Sequence, residues 1–273
     1  MSGVTFMPLM DEFKKEREDM KNQPFKKKLE YFWDYYKWWA IGGVAVIIAV
    51  IITISNIASR KNDVLYVAMV NVVANPLSDS KSNISDPFLS EHGYSTNKNI
   101  INFNTDFLFY DSPGTDSESA PAYSNTLGYS SRENLVVYVS AGDVDSICGG
   151  NDWMDFYAYN GFFSSVYDYL PEEIIEQYSD KIYYMDMAFK EELEKQAEED
   201  ITWEFTGEYP DGTKPEEMKD PVPIGVILDD SELFNNNFLG VNETKKIVMG
   251  MVVNSPEKEL TAELIEYMLK GGF

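Results

Sequence analysis

The longest uncharged apolar stretch of the chain runs over 38–58 and reads WWAIGGVAVIIAVIITISNIA. A helix of these 21 residues would be about 30 Å long, which matches the hydrocarbon core of a bilayer. Trp38 and Trp39 open the stretch, and Lys37 and Arg60 flank it, as is typical of residues at the two membrane interfaces. The pattern therefore predicts a transmembrane signal-anchor helix over 38–58, with these four residues at the lipid interface.

Charges around this stretch predict its orientation. Eight Lys/Arg residues precede it, whereas only Arg60 and Lys61 follow before the chain turns acidic. Because basic flanks stay on the cytoplasmic side, we expect a basic, amphipathic cytoplasmic leader over 1–37 and an acidic extracellular domain over 62–273. A cleaved signal peptide is the alternative, but the leader and the apolar run are both long for one. The leader lysines also predict contact with anionic lipid head groups.

Beyond residue 61 the pattern alternates between strands and helices. Nearly continuous apolar runs predict buried strands, and regular alternation predicts one more; the predicted strands are 64–73, 99–110, 143–150, 181–187, 222–228 and 245–254. Periodic segments predict helices near 87–92, 125–141, 151–163, 171–180 and 255–270. Within 125–141 the run LVVYV alone favours a strand, but its apolar spacing and the following Gly142 favour a helix. The charged segment 189–200 suits either a helix or a hairpin with 201–207. Such alternation favours an α/β fold in which a mostly parallel sheet carries helices on both faces, giving three layers.

Two of these helices have predicted ends. After the glycine pair of SICGG, Asn151 or Asp152 is the predicted N-cap of the next helix. In the last helix Ser255 is the predicted N-cap and Pro256 the first helical residue, while Gly271 ends it.

Charge is distributed unevenly between the two parts of the chain. The whole chain carries −24; residues 1–61 contribute ten Lys/Arg and seven Asp/Glu, a net of +3, so the rest carries −27. An acidic domain of this kind repels nucleic acid, which we exclude as a partner, and is compatible with cationic partners or with simple solubility.

Few residues of the chain suit catalysis or metal binding. A single cysteine, Cys148, excludes an intrachain disulfide, and a single histidine, His92, argues against a histidine-based metal site or catalytic triad. The chain contains no GxSxG, Walker A, GxGxxG, HExxH or CxxC motif. The loop over 111–119 has oxygen ligands without EF-hand spacing, which favours a solvated loop. We therefore expect no catalytic residues, no metal and no cofactor.

Several segments of the acidic domain resemble extracellular solute-binding proteins of the type II periplasmic-binding-protein fold. AGDVDSICGGNDWMDFYAYNGFF resembles the family's strand, ligand-facing loop and helix, and PVPIGVILDDSELF is similar to its returning strand. IVMGMVVNSPEKELTAELIEYML is similar to its strand–helix unit. Because only 181–222 is available for a second lobe, the resemblance implies a single membrane-anchored lobe.

The resemblance also implies where a ligand would bind. In this fold the ligand meets the loop that follows the strand, at the carboxyl ends of the strands. The candidate ligand-binding residues are Asp145, Gly149, Gly150, Asn151, Asp152 and Trp153.

The function that follows is a non-catalytic, membrane-anchored binding or interaction module. Its expected partners are the lipid bilayer, a transporter or other membrane protein, and a small solute, sugar or peptide. The alternative is a structural or accessory subunit of a membrane complex in which the ligand site is vestigial.

Overall fold

The chain divides into two compact units, Met1–Arg60 and Lys61–Phe273. The computed structural model describes residues 18, 21, 23–58, 60–109, 122–200, 202–203, 205–241 and 246–272. The first part of the predicted leader and the loop over 111–119 lie outside these residues.

The first unit contains one long helix, α1, over Phe25–Ala58. It begins directly after Pro24 and includes the predicted span. Every side chain from Ile41 to Ser55 is exposed. In the part of the chain that the structure describes, no helix has the length and apolar character needed to cross a membrane. The transmembrane anchor therefore stays a prediction.

The second unit is built on a six-stranded mixed sheet. The sheet order is β3-β1-β4-β8-β6-β5, and β2 and β7 form a separate antiparallel pair. The strands are β1 Asn62–Val70, β2 Val72–Ala74, β3 Asn99–Phe107, β4 Ser146–Gly150, β5 Ile182–Asp186, β6 Pro221–Ile227, β7 Phe238–Gly240 and β8 Ile247–Met251.

Strand direction in this sheet is divided. β1 pairs in parallel with both β3 and β4, whereas β8 is antiparallel to β4 and β6, and β5 is antiparallel to β6. Four of the six strands thus point one way, while β8 and β5 point the other. The α/β class is confirmed, and the antiparallel half of the sheet is a detail that the sequence pattern does not predict.

Helices cover both faces of the sheet. After α1 they are α2 Asp86–Glu91, α3 Ala122–Ala141, α4 Asn151–Tyr159, α5 Glu172–Gln177, α6 Met187–Glu199, α7 Glu232–Asn237 and α8 Lys258–Lys270. A π-helical turn, Lys81–Ser85, precedes α2, and short 3₁₀ turns lie at Val166–Asp168, Ser179–Lys181 and Pro215–Glu217.

Alternation along β1 divides the core into two layers. Leu65, Val67 and Met69 face a cluster that includes α2 and α8, whereas Ala68 and Val70 face a cluster that includes α3 and α4. Successive side chains of a strand point to opposite faces, so one buried strand supports both layers. The three-layer arrangement follows from this pattern.

The predicted start of the last helix is wrong. Helix α8 begins at Lys258 with Glu257 as its N-cap, so neither Ser255 nor Pro256 opens it. The Ser255 hydroxyl instead donates to Asp145 Oδ1 at 2.8 Å. The predicted end is confirmed, since Gly271 is the C-cap with a φ of 80°, a left-handed conformation that glycine adopts without strain.

Candidate functional site

One glycine of the predicted ligand loop, Gly149, is required by strand packing. Gly149 and Gly150 form the buried end of β4. A Cβ atom on Gly149 would lie 2.7 Å from the carbonyl oxygen of Val70 and 2.9 Å from its Cβ. The close approach of β1 therefore explains Gly149 without a ligand.

Asp145 lies at the opposite end of β4 from the other predicted residues. It is 3% exposed, and its Oδ2 accepts the Tyr66 backbone N–H at 2.8 Å. Its Oδ1 accepts the Ser255 hydroxyl at 2.8 Å and the Glu257 backbone N–H at 3.3 Å. The carboxylate thus joins β1 to the connection between β8 and α8.

The predicted caps of α4 are wrong. Its N-cap is Gly150, and Asn151 is the first helical residue. The Asn151 Oδ1 atom accepts the Lys246 backbone N–H at 3.2 Å, and the Asn151 N–H donates to Lys246 O at 2.8 Å. A contact with a distant segment has therefore replaced the local cap.

Trp153 is part of the core, and Asp152 lies half-buried in the first turn of α4. Trp153 is 1% exposed; its ring packs edge-on against Phe109 with centroids 4.6 Å apart, and the Arg132 guanidinium lies 5.6 Å from the ring centroid. The structure thus brings Gly149–Trp153 together but leaves Asp145 apart. A ligand-binding role for these residues stays a prediction.

Asn71 joins the carboxyl ends of β1 and β3. Its side-chain Oδ1 accepts the Phe109 N–H at 2.6 Å, its own N–H donates to Phe107 O, and its carbonyl accepts the Val241 N–H. Asn71 has a φ of 53°, a left-handed conformation that asparagine tolerates better than most residues. The polar groups of Asn71 are therefore hydrogen-bonded within the protein, at the edge of the sheet where the ligand is predicted to bind.

An open cleft lies elsewhere, beside the edge strand β5. It has a volume of about 370 Å³ and is formed by the end of α4, by α6 and by the extended segment that follows α6. We call it the aromatic cleft, and its lining residues are Phe156, Tyr159, Asn160, Leu193, Glu194, Ala197, Trp203, Phe205, Gly207 and Tyr209.

The rings of the aromatic cleft pack on one another. Tyr159 and Tyr209 are stacked, with centroids 4.7 Å apart and planes inclined by 6°. Phe205 lies 4.9 Å from Tyr209, and Trp203 lies 6.3 Å from Phe205. These contacts form a chain of rings from α4 along the segment after α6.

Hydrogen bonds at the end of β5 fix the inner ring of the cleft. The Tyr159 hydroxyl accepts the Asp186 backbone N–H at 3.0 Å. The Asp186 carboxylate caps α6 through the Ala188 N–H and also accepts the N–H groups of Lys219 and Asp220. Burial acts to raise the pKa of Asp186, but the backbone N–H donors outweigh it and hold that pKa below its ordinary value.

The tyrosines of the cleft stay neutral at physiological pH. Burial raises the pKa of Tyr159 and of Tyr209, and the nearby carboxylate of Asp155 raises both further. Asp155 itself is buried and accepts the Tyr183 hydroxyl at 2.9 Å. The cleft therefore presents neutral rings in front of negative charge.

Sequence reasoning misses the aromatic cleft because three separate segments build it. A local signal does exist: Trp203, Phe205, Gly207 and Tyr209 occupy alternate positions, and all four line the cleft. An extended segment places alternate residues on one side, so this spacing indicates an aromatic face.

The four residues predicted at the membrane interface lie on α1 or just after it. Trp38 is exposed on α1, and Arg60 is exposed just after it; Lys37 and Trp39 lie within α1. Among the described residues, no group of three or more His, Cys, Asp or Glu side chains could hold a metal ion.

Comparison with known protein families, curated proteins and solved structures finds no match to the chain.

Proposed function

We propose that this chain is a membrane-anchored, extracytoplasmic binding module that takes a small ligand in its aromatic cleft and acts without catalysis. The observation that carries the proposal is the cleft of about 370 Å³. Among the described residues, five aromatic rings line it, together with the amide of Asn160 and the carboxylate of Glu194. Ligand sites are typically clefts of this size, mostly apolar and aromatic, with a few polar groups that orient the ligand.

The buried acids support a non-catalytic role. Asp145 and Asp186 each accept several hydrogen bonds from the protein, and Asp155 accepts the Tyr183 hydroxyl. Burial raises the pKa of the Cys148 thiol, which keeps the sulfur protonated and unreactive. These groups stabilise the fold and are poorly placed to exchange protons with a substrate.

The proposal retains the resemblance to one lobe of a type II periplasmic-binding protein. It is supported by the sequence segments that resemble this family and by a single α/β unit over Lys61–Phe273. In this proposal the aromatic cleft, with walls from α4, from α6 and from the described lining residues that follow α6, serves in place of a site between two lobes.

The anchor is the second part of the proposal. It is supported by the uncharged stretch 38–58 and by the exposed apolar side chains of α1, including Val46, Ile47 and Ile51. A large exposed apolar surface is typical of a contact with membrane or protein. Two separate experiments test the anchor. After carbonate extraction of membranes, the chain should stay in the pellet. When intact cells are treated with protease, the part after residue 61 should be digested.

Ligand screening tests the binding site. The full chain in detergent would be screened by thermal shift against sugars, peptides, amino acids and organic cations, and any ligand found would be measured by calorimetry. Binding should disappear in Trp203→Ala and persist in Glu192→Gln, whose exposed side chain on α6 does not line the cleft. No shift with any class, or binding that survives Trp203→Ala, would contradict the proposed site.

An exposed apolar patch favours a second candidate function, that of an accessory subunit in a membrane complex. Val136, Val137 and Tyr138 on α3 are 42%, 61% and 40% exposed. Val253 is 44% exposed and lies nearby, since the adjacent Asn254 side chain donates to Val139 O on α3. A stoichiometric partner that co-purifies with the chain and is lost in Val137→Asp would favour this function, whereas its retention would exclude this patch as the contact.

A further inference from the structure

We propose that the ligand of the aromatic cleft is an organic cation of the quaternary ammonium class. This inference rests on the proposed binding function and specifies the class of its ligand. The aromatic lining, the charge around the cleft and the small number of hydrogen-bonding groups in it all favour a cation.

The aromatic lining of the cleft attracts positive charge. An aromatic ring carries negative potential on its face, and a cation within about 6 Å of the ring centroid is attracted to it. Trp203, Phe205 and Tyr209 form a continuous row with centroids 6.3 Å and 4.9 Å apart, so a small cation can contact more than one ring. Tryptophan, which is the strongest cation–π partner, lies at one end of this row.

Acidic side chains lie at the rim of the cleft and behind its rings. Glu194 is the charged residue among the described residues of the lining, and its side chain is 60% exposed at the rim. Asp155 and Asp186 lie behind the rings: burial is the main cause of the raised pKa of Tyr159, and the charges of these two carboxylates raise it further. Lys190 pairs with Glu194, with its Nζ atom 3.4 Å from Glu194 Oε1, and it is absent from the lining. The acidic side chains at and behind the cleft outnumber this one lysine, which favours a positive ligand.

The hydrogen-bonding groups of the lining suit a cation better than a neutral sugar. A sugar presents many hydroxyl groups, and a site that buries it must supply matching donors and acceptors. Here the Asn160 side-chain amide already donates to Phe156 O at 2.7 Å, and the Tyr159 hydroxyl already accepts the Asp186 N–H. A quaternary ammonium group needs no hydrogen bonds, so aromatic rings together with the Glu194 carboxylate satisfy it.

Three probes distinguish these ligand classes. Calorimetry on the full chain, in a polyoxyethylene detergent that carries neither ammonium nor sugar, would compare choline, its neutral isostere 3,3-dimethylbutan-1-ol and maltose. A cation–π contribution of about 1–2 kcal/mol corresponds to roughly five- to thirtyfold tighter binding of choline than of the isostere. Maltose should bind more weakly than choline.

Two variants assign the effect to the cleft. Glu194→Gln should weaken choline binding severalfold and leave the isostere unchanged, because it removes charge and no ring. Trp203→Ala should weaken both, while Glu192→Gln, on the same helix but outside the lining, should change neither.

Each remaining outcome is decisive. Equal binding of choline and the isostere, or no binding of choline, overturns the cationic assignment. If maltose then binds and Trp203→Ala abolishes that binding, the proposed function stands and only the ligand class is wrong. If the broad screen also finds no ligand that depends on Trp203, the proposed function fails as well.

Discussion

Replacing Asp145 by alanine should destabilise the second unit strongly, because one buried carboxylate connects three segments. The substitution removes acceptors from the Tyr66 N–H, the Ser255 hydroxyl and the Glu257 N–H. A hydrogen bond to a charged group is worth about 1.5–3 kcal/mol, and a buried donor left without a partner adds to the loss. Because Tyr66 and Glu257 are partly exposed, water can replace some of these bonds, and we expect a loss of about 3–5 kcal/mol.

Urea unfolding of the full chain, followed by circular dichroism, would measure this loss. Asp143→Ala, an exposed aspartate two residues away, is the matched control and should change the free energy of unfolding by no more than about 0.5 kcal/mol. Ser255→Ala should cost about 1–2 kcal/mol, and the double variant should cost less than the sum, because the two side chains share a hydrogen bond. An unfolding midpoint for Asp145→Ala equal to that of the control would refute the structural role. So would loss of ligand binding with unchanged stability, which would instead favour the predicted ligand contact.

Three further changes test other parts of the structure by the same unfolding assay or by labelling. Gly149→Ala should cost about 1–3 kcal/mol, since its Cβ would meet Val70 at 2.7–2.9 Å; an unchanged midpoint would mean that the two strands are not in such close contact. Because the pKa of Asp186 is depressed in the folded chain, its charged carboxylate contributes its full stabilisation at any pH above the ordinary pKa of 3.8. This stabilisation is lost as the pH falls through the folded pKa. Asp186→Asn should therefore flatten the fall in stability below about pH 5, and a fall as steep as in the original chain would contradict this. Burial raises the pKa of the Cys148 thiol, so Ellman's reagent should react only after unfolding, and rapid labelling of the folded chain would show that the site opens.

Local patterns predict the class of the fold and most of its elements. The apolar run at 222–228 is mostly the strand β6, whereas the run at 64–73 is divided at Asn71 into β1 and β2. The segment 189–200, which suits either a helix or a hairpin, forms most of α6. Strand order could not be predicted, because neighbours in the sheet are distant in sequence. Thus Ser146 of β4 pairs with Met251 of β8.

The errors at helix ends have the same physical cause. Ser255 and Asn151 are good N-cap residues by local preference, yet each makes its hydrogen bond with a residue about a hundred positions away. The aromatic cleft is hard to predict for a similar reason, since it joins the end of α4 to α6 and to the residues Trp203, Phe205, Gly207 and Tyr209. Only the alternate aromatic residues from Trp203 to Tyr209 carried a local signal.

The central position of β8 affects how this domain can be made. β8 lies between β4 and β6, although it is the last strand in the chain. Until Ile247–Met251 has left the ribosome and reached the same compartment, β3-β1-β4 and β6-β5 are two partial sheets, each with an unprotected strand edge. Such edges promote aggregation, so the nascent chain needs rapid synthesis, a chaperone or both during this interval. A chain that stops before residue 247 would keep this hazard permanently, and cellular quality control should remove it.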